Sequence, residues 1–387
     1  MGTATSAPTV PPPPRRAVIS ADALDDLLAA LRAAGFRPVG PTVGAGAIVL
    51  DELASAADLP HGRGSATAPG SYRLTERGDR AVFGHSAGPQ SWKRFLHPAR
   101  RRLLTADRDP RTGETSLRAD AEIPVPYAFV GVRPCDLAAI KILNRALRRA
   151  PEGDRGPFIV TVECTEPGAA CFCASAGTGP GCADRIGDFD LALLETDDEN
   201  GHRFLVTVGS ERGDAVLDAV PRDPVPDGML EAARAAVAAA AGRMGRALPP
   251  TDLRVLLARS ADAGHWADVA DRCLACGNCT MVCPTCFCTS VEDTTDLTGD
   301  HAERWESWDS CFDIDFSYLH GGSVRTSTRS RYRQWLTHKF GTWHDQFGTS
   351  GCVGCGRCVA WCPVGIDVTA ELAALDAEAA TESGDAR

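Results

Sequence analysis

The sequence predicts an α+β protein: an N-terminal mixed α/β domain followed by a mainly helical, cysteine-rich domain. Three observations carry this. Apolar strand-like runs at 125–132, 158–162, 187–195 and 203–208 surround a helical pattern at 136–149. Trp266, Val269, Ala270 and Cys273 recur at i, i+3, i+4 and i+7, on a helix that Asp262 can cap. The run C-x2-C-x2-C-x3-C-P then occurs twice, from Cys273 to Pro284 and from Cys352 to Pro363.

In chain order, residues 1–17 are Thr, Ala and Pro and are expected to form a disordered or polyproline II arm. The mixed domain spans 18–220. It opens with a helix over 21–34, with Leu24, Leu27, Leu28 and Leu31 on one face and Gly35 as its stop. Residues 48–50 read as a strand, and 70–74 and 81–84 as a strand pair. The basic, aromatic stretch 91–98 reads first as a packed surface helix. Residues 221–262 hold a Pro-rich linker and an Ala-rich helix over 227–246. The cysteine-rich domain takes 263–375, and 376–387 is an acidic tail expected to be disordered.

The 387 residues suffice for two or three domains. No apolar run approaches the roughly 18–20 residues that span a bilayer, so membrane insertion is not expected. Arg15 and Arg16 are followed by Asp22, Asp25 and Asp26 rather than by an apolar stretch, which does not read as a signal segment. The 16 cysteines follow metal spacing rather than a disulfide framework, which points to a reducing, cytoplasmic location. A net charge of −11 argues against nucleic-acid binding.

C-x2-C-x2-C-x3-C-P is the bacterial run that holds [4Fe–4S] clusters, and in two-cluster ferredoxins the last cysteine of each run serves the other cluster. The reading therefore crosses the sets. Cys273, Cys276, Cys279 and Cys362 hold one cluster, and Cys352, Cys355, Cys358 and Cys283 hold the second. The first run begins where a helix ends, so the domain resembles the helical type of dicluster ferredoxin-like domain. Zinc also takes four cysteines, usually as pairs with distant partners; two full runs favour iron and sulfur. Cys135, Cys164, Cys171 and Cys173 are a candidate third metal site, and Cys286, Cys288 and Cys311 are additional thiols near the first run. Cys182 reads as a small buried hydrophobe. The basic, aromatic insert from Arg325 to Lys339 reads as a docking face, a shell around a cluster, or a solvated helix face with Trp335 in the core.

Further motifs carry a resemblance: Gly88-Pro-Gln-Ser-Trp92-Lys, Gly131-Val-Arg-Pro-Cys135-Asp136, Cys171-Phe-Cys173, Cys283-Pro-Thr-Cys286-Phe-Cys288, Trp308-Asp-Ser-Cys311, Arg331-Tyr-Arg333 and His338-Lys339. In this order they are similar to the beta subunits of cytoplasmic NAD(P)-linked [NiFe] hydrogenases (sulfhydrogenases) and the related A subunit of anaerobic sulfite reductase. The resemblance implies a non-catalytic electron-transfer subunit, with no catalytic residues of its own. Its partners would be a flavin- and NAD(P)H-binding reductase subunit and [NiFe] hydrogenase subunits, or a siroheme sulfite reductase subunit. Flavin would be supplied only by a partner, and the sequence has no Gly-x-Gly-x-x-Gly in a strand–turn–helix setting. The competing classes are a self-contained flavin-dependent iron–sulfur oxidoreductase and a zinc-bearing interaction protein.

Overall fold

The computed structural model describes residues 13–120, 125–148 and 156–385, the side chains to 381. Strand β1 (Arg16–Ser20) leads through α1 (Leu24–Ala33) into the hairpin β2 (Arg37–Gly44) and β3 (Ala47–Glu52). A second hairpin, β4 (Arg63–Ala68) and β5 (Ser71–Glu76), is followed by the short α2 (Lys93–Leu96) and by β6 (Arg100–Arg108) and β7 (Thr115–Ala119). Then come β8 (Tyr127–Val132), α3 (Pro134–Ala146), β9 (Phe158–Val162), β10 (Leu191–Asp198) and β11 (Gly201–Val208). Helices α4 (Glu211–Asp218), α5 (Met229–Gly242), α6 (Leu253–Arg259), α7 (His265–Arg272) and α8 (Asn278–Met281) follow. A hairpin of β12 (Thr289–Thr295) and β13 (His301–Trp308) precedes α9 (Thr328–Thr337), α10 (Trp343–Phe347), α11 (Arg357–Ala360) and α12 (Val368–Asp385).

A seven-stranded sheet in the order β1-β11-β10-β9-β8-β2-β3 forms the first half. Its centre, β10-β9-β8-β2, is parallel and its edges are antiparallel. Central strands buried on both faces read as continuous apolar runs, as Ala128, Phe129 and Val130 do. Helices α1 and α4 cover one face through Leu24, Leu27, Leu28, Leu31, Val216 and Leu217. On the other face, α3 packs against Phe129 and Ala192, and α5 against Val18, Leu194 and Leu205. The second half is a helical layer around Trp266, Tyr332, Trp335, Leu336, Leu372 and Leu375. The α+β class holds.

Several local expectations change. The arm ends early: Arg16 already pairs with Thr207 in the sheet, and residues 1–12 lie outside the described ones. The partner of 71–76 is 63–68 rather than 81–84, because the Pro69-Gly70 turn (Gly70 φ +71°) closes a tight hairpin. The linker is strapped to the sheet, since Asp223 and Val18 exchange backbone hydrogen bonds. Asp262 does not cap α7; the N-cap is Gly264, whose N–H donates to Glu378. The acidic tail is helical to Asp385, and Glu378 and Glu371 anchor it to His265 and Arg272. Residues 100–119 and 289–308, to which the sequence reading assigns no element, build a second sheet, β12-β13-β6-β7. Its strands come from both halves of the sequence, so the halves interlock.

Candidate metal centre

The two cysteine runs have the same backbone. Each first cysteine accepts a hydrogen bond at its own Sγ from the N–H two residues on: Ala275 to Cys273 and Gly354 to Cys352, both at 3.4 Å. The donors sit in the left-handed region (Ala275 φ +52°, Gly354 φ +63°), and so do Gly277 (φ +71°) and Gly356 (φ +74°), which start α8 and α11. Successive N–H groups in such a turn make an anion-binding concavity. At Ala275 a side chain tolerates a conformation that costs about 1–3 kcal/mol, a strain typical of functional sites.

Packing of α8 against α11 brings the last cysteine of each run to the other run. Cys362 and Cys358 line one cavity with Cys273, Cys276 and Cys279, walled by Phe312, Tyr332 and Trp335, and the Cys362 thiolate is among the charges that raise Cys273 and Cys279. Cys283 lies beside Cys352, Cys355 and Cys358, and the negative charge of its thiolate raises their pKa values. Burial and mutual repulsion push Cys352 up to about 12 and Cys355 to about 11, and hold Cys279 and Cys358 well above the ordinary thiol value. Without a cation these thiols cannot all ionise together. Cys283 is the exception. A hydrogen bond with Cys286 and the Lys339 ammonium hold its pKa well below the thiol range, against its burial. Lys339 is 3% exposed and sits in a π-helical turn between α9 and α10. Its Nζ donates to Cys283 Sγ at 3.4 Å and to the Gly351 carbonyl at 3.1 Å.

The candidate third set also converges. Cys135 starts α3 just past β8, and Cys164 lies just past β9, at the carboxyl ends of parallel strands where ligands bind in α/β sheets. The thiols of Cys135 and Cys173 are hydrogen-bonded. Burial, then Cys135 and Cys164, push Cys171 up to about 12. Arg133, buried, donates to Cys164 Sγ at 3.2 Å. This set abuts the second run: Phe172 N–H donates to the Gly354 carbonyl, and Cys171 Sγ is 4.0 Å from the Cys355 carbonyl. Gly354 and Gly356 permit that approach. A Cβ on Gly356 would stand 2.4 Å from the Ala170 carbonyl oxygen. Gly356→Ala is therefore expected to destabilise the chain by about 1–3 kcal/mol, read as a lower anaerobic melting temperature by far-UV circular dichroism.

Cys182 is fully buried beside Thr161 and Glu163, apart from the sets. Cys286 and Cys288 precede β12, and Cys311 follows β13. In the insert, Arg329 and Arg333 donate to backbone carbonyls of the chain before α7, and Arg331 and Trp335 are buried, so these arginines fasten helices together. The stretch 91–98 is packed, with Trp92, Lys93 and His97 buried. Sequence reasoning missed the buried charges of Lys93, Arg133 and Arg357, and gave a cluster shell as one of three readings of the insert that ends at Lys339. The only hint was a basic residue placed next to each motif. Arg357, 3% exposed at its side chain, forms a two-pronged ion pair with Asp136 at 2.7 and 3.0 Å and donates to the Gly88 carbonyl.

These residues fit iron–sulfur clusters. Crowded buried thiols face backbone N–H groups, with buried ammonium and guanidinium groups alongside. Among the described residues, no three His, Cys, Asp or Glu side chains converge tightly enough for a single metal ion. Residues 272–366 match a family model described as a 4Fe-4S dicluster domain. The chain is thus an iron–sulfur protein of the dicluster class. It is 32% identical over 252 residues to sulfhydrogenase 2 subunit beta of Pyrococcus furiosus, across 62% of this chain and 71% of that protein. The chain belongs to the family of sulfhydrogenase beta subunits, iron–sulfur subunits of electron transfer. No solved structure matches it. Among the described residues, no helix is long and apolar enough to cross a membrane.

Proposed function

We propose that this subunit relays electrons between a flavin-bearing, NAD(P)H-linked subunit and a [NiFe] hydrogenase core, in the cytoplasm. Its two [4Fe–4S] clusters would be held by Cys273, Cys276, Cys279 and Cys362 and by Cys352, Cys355, Cys358 and Cys283. The observation that carries this is the crossed juxtaposition of two identical cysteine cradles. When bound, such clusters accept and release single electrons.

The chain's own part is to hold and tune them. Lys339 places a positive charge on Cys283, and Tyr332 and Trp335 wall the inner side of the first cradle. Cys276 and Leu274 are exposed, so the first cradle reaches the surface, where a partner can dock. Cys135, Cys164, Cys171 and Cys173 would hold a third centre that extends the path beyond the second run. On this reading, Cys171→Ser/Cys173→Ser is expected to lower the iron content by about four atoms per chain, counted with acid-labile sulfide. An unchanged count would make those thiols structural only.

Anaerobic affinity purification of the native complex tests the relay. Flavin and nickel–iron subunits in the eluate support it. A siroheme partner would place the chain in a sulfite reductase instead. Flavin bound to the isolated chain would argue for a self-contained oxidoreductase, and zinc without iron would end the iron–sulfur reading.

A further inference from the structure

The Ala-rich helix α5 covers one side of the seven-stranded sheet without filling the space beneath it. Strand alternation decides which residues face that space. Ala17 and Ile19 belong to the core on the α1 side, so Arg16 and Val18 face α5. Leu205 and Thr207 of β11, and Ala192 and Leu194 of β10, share that side. Met229 and Leu230 of α5 pack against the cluster of Val18, Leu194 and Leu205. Ala233, Ala238, Gly181 and Ala183 are too small to complete the contact, and a cavity of about 350 Å³ remains. That volume lies within the usual range of small-molecule sites, roughly 300–1,000 Å³.

The wall is mostly hydrocarbon, and the charges on it are separated by sign. Arg16 and Arg234 stand together: after burial, the Arg234 charge is what lowers the Arg16 guanidinium from its ordinary value. Arg16 Nε is buried with no acceptor, and among the described residues neither arginine has a carboxylate within ion-pair distance. Arg15, one residue earlier, shows that acids are within reach of this strand. It pairs with Asp214 and Asp218 of α4, on the opposite face. The acids of the cavity are elsewhere. Arg16 lies on the edge strand β1 and Glu163 just past β9, three strands away, which is roughly 14 Å across the sheet. Glu163 accepts the N–H groups of Cys182 and Ala183 at 3.1 and 2.5 Å, and Asp184 follows them.

A buried donor without an acceptor is rare in a folded chain and marks a site for an unmodelled partner or a functional group. Two like charges beside an apolar wall point to a ligand that brings both a negative charge and a hydrocarbon surface. We propose that this cavity binds a small amphipathic anion, with its carboxylate or phosphate head at Arg16 and Arg234 and its apolar body against Leu194, Leu205 and Val237. Glu163 and Asp184 repel a second negative group at the far end, which fixes the orientation and disfavours ligands charged negatively at both ends. None of the eight cysteines of the two runs lines this cavity, so binding there is independent of the relay.

The test is anaerobic isothermal titration of the reconstituted full chain with octanoate, octyl phosphate and octanol. At least one of the two anions is expected to bind about tenfold more tightly than octanol, because only a charged head makes charge-assisted hydrogen bonds with the guanidinium groups. Arg16→Gln/Arg234→Gln should abolish that preference while iron content and EPR signals stay as in the wild type. Equal affinity for octanol and both anions, or no binding of any of the three, overturns the proposal, and so does a preference that survives in the double variant. The wild-type comparison decides alone if the variant does not fold. Acetate and inorganic phosphate, heads without a body, should bind about tenfold more weakly than their octyl counterparts; equal binding would leave an exposed charge pair and no site. Absent binding in a chain with its full iron leaves the relay standing, and binding in a chain without iron defeats the relay alone.

Discussion

Cys362→Ala is expected to damage the cluster of the first run, although Cys362 belongs to the second. Its EPR lesion should match that of Cys276→Ser and Cys279→Ala, and Cys283→Ala should match Cys352→Ala. The reason is the α8–α11 packing. Cys362 Sγ accepts the Ile366 N–H at 3.3 Å and lines the cradle of Cys273, Cys276 and Cys279. Loss of one of four thiolates exposes a cluster corner, and up to about four irons per chain can follow. Iron and sulfide analysis with reduced-state EPR on each single variant checks this. If Cys362→Ala and Cys358→Ala affect the same signal, each run serves its own cluster and the crossing is wrong.

Asp136→Ala is expected to cost about 3–5 kcal/mol, because it leaves the Arg357 guanidinium buried without its carboxylate. Both side chains are under a tenth exposed, and both prongs of the pair are made. Arg357 sits inside the second run and Asp136 follows Cys135, so the pair joins two of the cysteine groups. The loss should appear in anaerobic urea denaturation followed by far-UV circular dichroism, together with faster release of iron from the second and third sites. Asp136→Glu should recover part of it. A change below about 1 kcal/mol, the range of exposed ion pairs, would mean that the pair is not buried in solution.

Much of the candidate site was legible because cluster ligation is written in local spacing. Glycines at fixed offsets and the prolines after each run marked the two cradles, and the rule that crosses fourth ligands supplied the arrangement proposed for them. The strands of the seven-stranded sheet were legible for a similar reason: buried parallel strands are continuous apolar runs. The second sheet was not. Strands β7 and β12 are largely exposed and have no apolar alternation, so β6 and β13 acquire meaning only from pairing across almost 200 residues, as in His301 with Asp107. The acidic end of α12 read as tail for the same reason. Its anchors, Gly264, His265 and Arg272, lie more than 90 residues upstream.

By itself, then, the sequence determined the chemistry: two four-thiolate runs, an α+β chain, and further cysteines in excess of the runs. Thiol spacing within one loop decides which metal core fits, and a loop needs no distant partner to keep that spacing. Only the tertiary structure decided where the positive charge stands. Lys93, Arg133 and Arg357 look like surface residues in the sequence and Lys339 had a cluster shell as one of three readings, yet all four are buried against cysteine groups. Burial is a property of the whole packed chain. An ammonium or guanidinium stays charged inside it only when a specific anion has been folded to its side.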